Sequence, residues 1–216
     1  GEKCLMVRGD LILTPTGLWH EHGHDGTEPV VWLDVLDLPL VYYMEASYHV
    51  NGGRQKVNTG HGERAYARGG IVPSPVFERS RKAYPMLRYP WADARAALLS
   101  LAADQPELDA VQVTYVNPET GGDTENIRGF YALRLRPGHN LRLPVCSPAM
   151  VFHLIEGGAT VKIAEQQFTL AEADTCCAPG YCDVSLTNTS ATAPAFLFID
   201  DETPLHKKLG VFGNRG

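Results

Sequence analysis

Apolar positions in this chain fall in short runs cut by glycine and proline. Leu11-Ile12-Leu13-Thr14 reads as a short strand, broken by Pro15 and Gly17. His20, His22 and His24 then alternate along an extended run. Residues i, i+2 and i+4 of a strand share one face, so the three imidazoles are expected to point the same way. A second apolar run, Val31-Trp32-Leu33-Asp34-Val35-Leu36, carries a carboxylate in its middle. Residues 1–50 thus predict several short strands, the spacing of a β-sandwich or barrel. From Asn51 to Tyr89 no periodicity is clear, and so long an irregular stretch predicts a functional loop or an arm that wraps a neighbour. Trp91, Ala94, Leu98, Leu101 and Ala102 share one helical face, which predicts a helix over 91–103 between Pro90 and Pro106. Trp91 is expected to pack there. Val111 to Val116 predicts a strand and Asn117 to Gly122 a loop. Further strands are predicted over 130–135, 150–155 and 159–164, with His153 read as a core residue on the second of them.

The pattern repeats. Asp10 and Pro15 recur as Asp174 and Pro179, 164 residues on; Pro29, Pro39 and Leu40 recur as Pro194, Pro204 and Leu205, 165 residues on. Apolar Val31 to Leu33 match Phe196 to Phe198. This is the signature of a duplicated β-rich unit. The second unit has strands ahead of its repeat whose counterparts would fall before Gly1. The chain is therefore expected to be a C-terminal portion of a longer protein, entering its first unit partway.

Composition narrows the functional classes. With 216 residues and 44% hydrophobic content, the chain can bury a core. A net charge of −6 without a basic cluster argues against a nucleic-acid surface. The run Val30 to Tyr43 is interrupted by Asp34, Asp37 and Pro39, so it does not read as a membrane span. Five cysteines, Cys4, Cys146, Cys176, Cys177 and Cys182, lack scaffold spacing and fit a reduced, cytoplasmic setting. No nucleophile constellation or phosphate loop is present.

The frame Gly9…Pro15-Thr16-Gly17-Leu18-Trp19-His20 resembles the second metal motif of cupins. With Glu28 to Leu40, Leu87-Arg88-Tyr89-Pro90-Trp91 and Tyr115-Val116-Asn117-Pro118-Glu119-Thr120-Gly121-Gly122, the chain resembles gentisate 1,2-dioxygenases and their salicylate- and 1-hydroxy-2-naphthoate-cleaving relatives. The resemblance implies a mainly β bicupin of jelly-roll barrels, the first incomplete here. Residues 1–50 would be the second half of the first barrel, 51–128 an inter-barrel segment with a short helix, and 129–216 the second barrel. It implies an Fe(II) enzyme in which three histidines of the first barrel hold the metal, an aromatic hydroxy acid chelates through carboxylate and hydroxyl, and O2 opens the ring. Gentisate would give maleylpyruvate. It further implies a homotetramer.

On that frame His20 is the metal ligand; imidazole suits iron, among other metals. The His-x-His pair that completes the set would precede Gly1. For His22 the resemblance implies contact with substrate or a ligand, where an imidazole can shuttle a proton near neutral pH. His24 stands where cupins carry asparagine and reads as turn-stabilising. Asp34 is either a strand-end carboxylate bonded locally or a group that orients His22. Trp19 could line a pocket or pack. In the second barrel the ligand places fall on Pro144, Cys146 and Val184, which predicts a metal-free, structural unit. Two classes therefore stand: a ring-cleaving dioxygenase, or a non-enzymatic bicupin remnant serving assembly or ligand binding.

Overall fold

The computed structural model describes residues 2–53, 62–74 and 84–215. Parts of the stretch expected to form a wrapping arm, residues 54–61 and 75–83, lie outside the described residues. In chain order the elements are β1 Leu11–Ile12, α1 Leu38–Tyr43, α2 Gly62–Ala65, β2 Arg88–Tyr89, α3 Trp91–Asp104, β3 Ala110–Thr114, β4 Gly129–Leu135, β5 Asn140–Arg142, β6 Val145–Cys146, β7 Met150–Glu156, β8 Ala159–Ile163, β9 Gln166–Leu170, β10 Thr175–Ala178, β11 Val184–Asn188, β12 Ala195–Asp201, α4 Thr203–Lys208 and β13 Asn214–Arg215.

The protein is mainly β. Alternation along the strands builds two antiparallel sheets, ordered β10-β7-β12-β4-β3 and β5-β11-β8-β9. Leu133, Leu135, Phe152, Leu154, Val161 and Leu186 fill the space between them. The sheets face one another without closing into a barrel, because no strand is hydrogen-bonded into both. Residues of opposite parity on β4 and β12, Phe130, Ala132 and Phe196, form a second core with Trp91, Ala94 and Leu98 of α3. The five-stranded sheet is thus buried on both faces, which is why β12 reads as a nearly continuous apolar run. His153 departs from expectation. It lies half-buried on the outer side of β7 and pairs through Nδ1 with Thr175 Oγ1 (2.8 Å), whereas its neighbours Phe152 and Leu154 occupy the core.

The first fifty residues also differ from expectation. Among the described residues they hold one two-residue strand, β1, paired with β2, and the helix α1. A strand needs a neighbour to satisfy its backbone groups. In the second unit, β12 lies between β4 and β7; no described strand takes those places beside residues 30–36, and Val31 is 93% exposed.

The duplication is nevertheless written into the backbone. Asp10 N–H donates to Val7 O (3.0 Å), and Asp174 N–H to Ala171 O (3.0 Å). Each carboxylate accepts from the residue three before it, Val7 N–H (3.1 Å) and Ala171 N–H (2.8 Å). The left-handed positions coincide too: Gly9 with Ala173, Gly17 with Tyr181, Glu45 with Gly210. Helices α1 and α4 have the same length, carry proline in the first turn and end in the same hydrogen bonds. The two copies of the turn meet where Arg8 Nη2 donates to Glu172 Oε2 (2.9 Å). These residues occupy equivalent positions, as at a local two-fold axis. Asp10 also anchors the second core: it accepts from Arg88 Nε (2.7 Å) and from the Trp91 N–H at the start of α3 (2.9 Å).

Candidate functional site

The Pro15–Leu18 turn launches the histidine-bearing segment; Gly17 takes the left-handed conformation (φ 76°) that glycine tolerates. His20, His22 and His24 follow on an exposed stretch without regular secondary structure. Two of them meet: the His20 and His22 rings lie edge to face, centroids 5.7 Å apart. His22 in turn stacks on Trp32, at 4.8 Å and 20° between planes. His24 turns away and pairs through Nε2 with Glu28 O (2.7 Å). Trp19 lies against Gly52, where an added Cβ would come within 2.5 Å of its ring. Asp34 is exposed, and among the described residues no hydrogen bond joins it to His22. The histidines that alternate in sequence therefore converge only in part, and Trp32, to which the sequence pattern assigns no role, is the group against which His22 rests. The signal was available: Trp32 and Asp34 are two apart in the same extended run, and so share a face.

The second unit shows what these positions do inside a complete sandwich. His20 and His22 correspond, 164 residues on, to Val184 and Leu186 on β11. Trp32 and Asp34 correspond, 165 on, to Leu197 and Ile199 on β12. All four counterparts point into the core between the sheets, with exposures of 1%, 0%, 0% and 4%. His24 corresponds to Asn188, whose Nδ2 donates to Ala193 O (2.9 Å). Ala193 is the counterpart of Glu28, so the two side chains close the same turn.

A metal asks more of this chain than its described residues supply. Iron sites of the open, facial kind take three protein donors. Among the described residues no three His, Cys, Asp or Glu side chains converge. The donors among the described residues do not by themselves complete such a site. In the second unit Cys146 lies on β6 opposite Asn214, its thiol pushed up by burial and then by Asp201. No described helix is long and apolar enough to cross a membrane.

No family model matches the chain. Individual proteins do. It is 73% identical over 216 residues to a gentisate 1,2-dioxygenase of Ralstonia sp, covering 100% of this chain and 61% of that protein. It is 30% identical over 215 residues to a 1-hydroxy-2-naphthoate 1,2-dioxygenase of Nocardioides sp. (strain KP7), covering 98% and 55%. The chain thus spans 55–61% of the length of these relatives. Among solved structures, the salicylate 1,2-dioxygenase of Pseudaminobacter salicylatoxidans matches with a TM-score of 0.71 at 22% identity, over 83% of this chain and 53% of that one. That likeness shows the fold.

Proposed function

The chain is similar along its whole length to gentisate 1,2-dioxygenases, and from that premise we propose that the whole protein carrying it opens an aromatic ring with O2. One observation in this chain supports the reading most. The positions that are Val184, Leu186, Leu197 and Ile199 in the apolar core of the second unit are His20, His22, Trp32 and Asp34 in the first. Four inward-facing hydrophobes have been exchanged for two imidazoles, an indole and a carboxylate. Such groups are costly inside a sandwich unless paired or used, so the first unit is where chemistry belongs and the second is structural. Residues 1–50 are accordingly part of a first cupin unit, 51–128 the connecting segment and 129–216 the second unit.

The substrate we assign is gentisate, a 2,5-dihydroxybenzoate. The bond between its carboxyl- and hydroxyl-bearing ring carbons breaks, and both atoms of O2 enter the product, maleylpyruvate. The relatives supply the support for this choice: 73% identity to a gentisate enzyme against 30% to a hydroxynaphthoate enzyme. Fe(II), when bound to the whole protein, would supply the redox centre, with His20 as one ligand. His22, two residues along the same face, takes the proton of the substrate hydroxyl on an imidazole nitrogen. Asp34 would act by orienting His22 in the complete unit. The exposed apolar side chains Trp19, Val31, Tyr43 and Tyr48 support burial against further protein surface; the resemblance suggests a homotetramer, and the cysteines, which lack scaffold spacing, a reduced, cytoplasmic setting.

Oxygen uptake by the iron-loaded whole protein tests the reading. Gentisate should drive uptake with stoichiometric maleylpyruvate; salicylate and 1-hydroxy-2-naphthoate should be slower. No uptake with any of the three would leave the protein a non-enzymatic member of the fold.

A further inference from the structure

The geometry points to Trp32 as the residue that positions His22. This rests on the function proposed above, and it deepens that site. The indole and imidazole planes lie 20° apart with centroids at 4.8 Å, a stacked pair. His22 makes no hydrogen bond to Asp34 among the described residues, so the flat contact with Trp32 is what fixes its ring plane. The repeat supports the pairing independently. The counterparts of His22 and Trp32 are Leu186 on the four-stranded sheet and Leu197 on the five-stranded sheet, members of one core cluster. The repeat thus predicts that in a complete first unit residues 22 and 32 face each other across its interior, one from each sheet. A hydrophobe-on-hydrophobe contact in the second unit has become indole-on-imidazole in the first. An imidazole that only rotated freely would present its nitrogens in many directions. Held flat against the indole, it has its ring plane set, and the His20 ring meets it edge-on at 5.7 Å.

Trp32 is a positioning residue, acting through His22 and not on substrate. Its removal should therefore cost turnover and leave metal and KM alone. Aromatic contacts of this kind are worth a factor of roughly 3 to 10. In the whole, iron-loaded protein, Trp32→Leu should lower kcat for gentisate by about that factor with iron content unchanged. Trp32→Phe, which keeps a flat ring, should recover most of it. The decisive arm is the cycle with His22→Ala: in that background Trp32→Leu should cost nothing more. Nuclear magnetic resonance of the metal-free whole protein, with 13C-labelled histidine, reads the contact without turnover. The His22 Cε1–H signal, identified by its loss in His22→Ala, should lie upfield under the indole ring and move downfield in Trp32→Leu. An additive loss in the His22→Ala background, or a His22 signal indifferent to Trp32→Leu, overturns the proposal. Should the parent cleave no aromatic acid, the dioxygenase reading fails, and the resonance shift alone still decides whether Trp32 holds His22.

Discussion

Asp10 and Asp174 occupy the same place in the two copies of one turn, and they make an internal experiment. Both carboxylates accept a hydrogen bond from the residue three before them. Asp174 does little else and is exposed. Asp10 has a side chain only 3% exposed, an ion pair at 2.7 Å to Arg88, itself 17% exposed, and the first N–H of α3 at 2.9 Å. Asp10→Asn preserves volume but takes the charge from a buried pair and leaves the Arg88 guanidinium facing an amide. Breaking a buried pair from one side costs ~3–5 kcal/mol. The asparagine oxygen can still cap α3, which returns up to ~1 kcal/mol. The net expectation is a loss of about 3 kcal/mol for Asp10→Asn. Asp174→Asn keeps an oxygen for the Ala171 N–H and gives up only the charge behind one exposed turn contact, at most ~0.5–1 kcal/mol. Thermal unfolding by circular dichroism reads the difference. At ~2–4 °C per kcal/mol for chains of this size, Asp10→Asn should lower Tm by roughly 6–12 °C and Asp174→Asn by only a few degrees. Equal shifts would refute the claim that Asp10 ties the first turn to α3.

Other outcomes follow from individual side chains. The His153 pKa is lowered by burial, then by the nearby Arg8 charge, with Asp174 opposing. The unfolded chain therefore binds the proton first, and the stability contributed by neutral His153 is present above ~6.5 and lost as pH falls through the folded value. Urea midpoints at pH 7 and pH 5 should converge in His153→Gln relative to the parent; an unchanged gap would exclude this residue. In the whole, iron-loaded protein, His22→Ala should keep its iron and lose about 10²–10⁴-fold in kcat, with Asp34→Asn a milder version of the same defect. Iron lost together with activity would make His22 a ligand instead.

Much of the second unit was legible because its strands are bounded by glycine and proline and pair with one another. Strands expected over 130–135, 150–155 and 159–164 lie within one residue of β4, β7 and β8 at each end. The repeat was legible from spacing, and the backbone carries it down to single left-handed residues. What failed did so for identifiable reasons. Residues 30–36 look like a strand by composition, but pairing is a property of neighbours, and none is described beside them. His153 sits among apolar residues in sequence, yet period two sends it to the outer face. Helix α1 hid inside an apolar run whose one helical signal was Pro39 in its first turn. Alternation with Asp34 could have flagged Trp32 as sharing its face, but the stack of Trp32 on His22 joins residues ten apart, which the periodicity of one run does not couple.

The central claim is that one unit carries the chemistry and its duplicate carries only structure. Anomalous scattering at the iron edge, from crystals of the whole iron-loaded protein, tests it most directly. The account predicts a peak within bonding distance of a His20 imidazole nitrogen and no peak between the sheets of the second unit. A peak beside Cys146 or Val184, or a fully loaded protein with density away from His20, would contradict it.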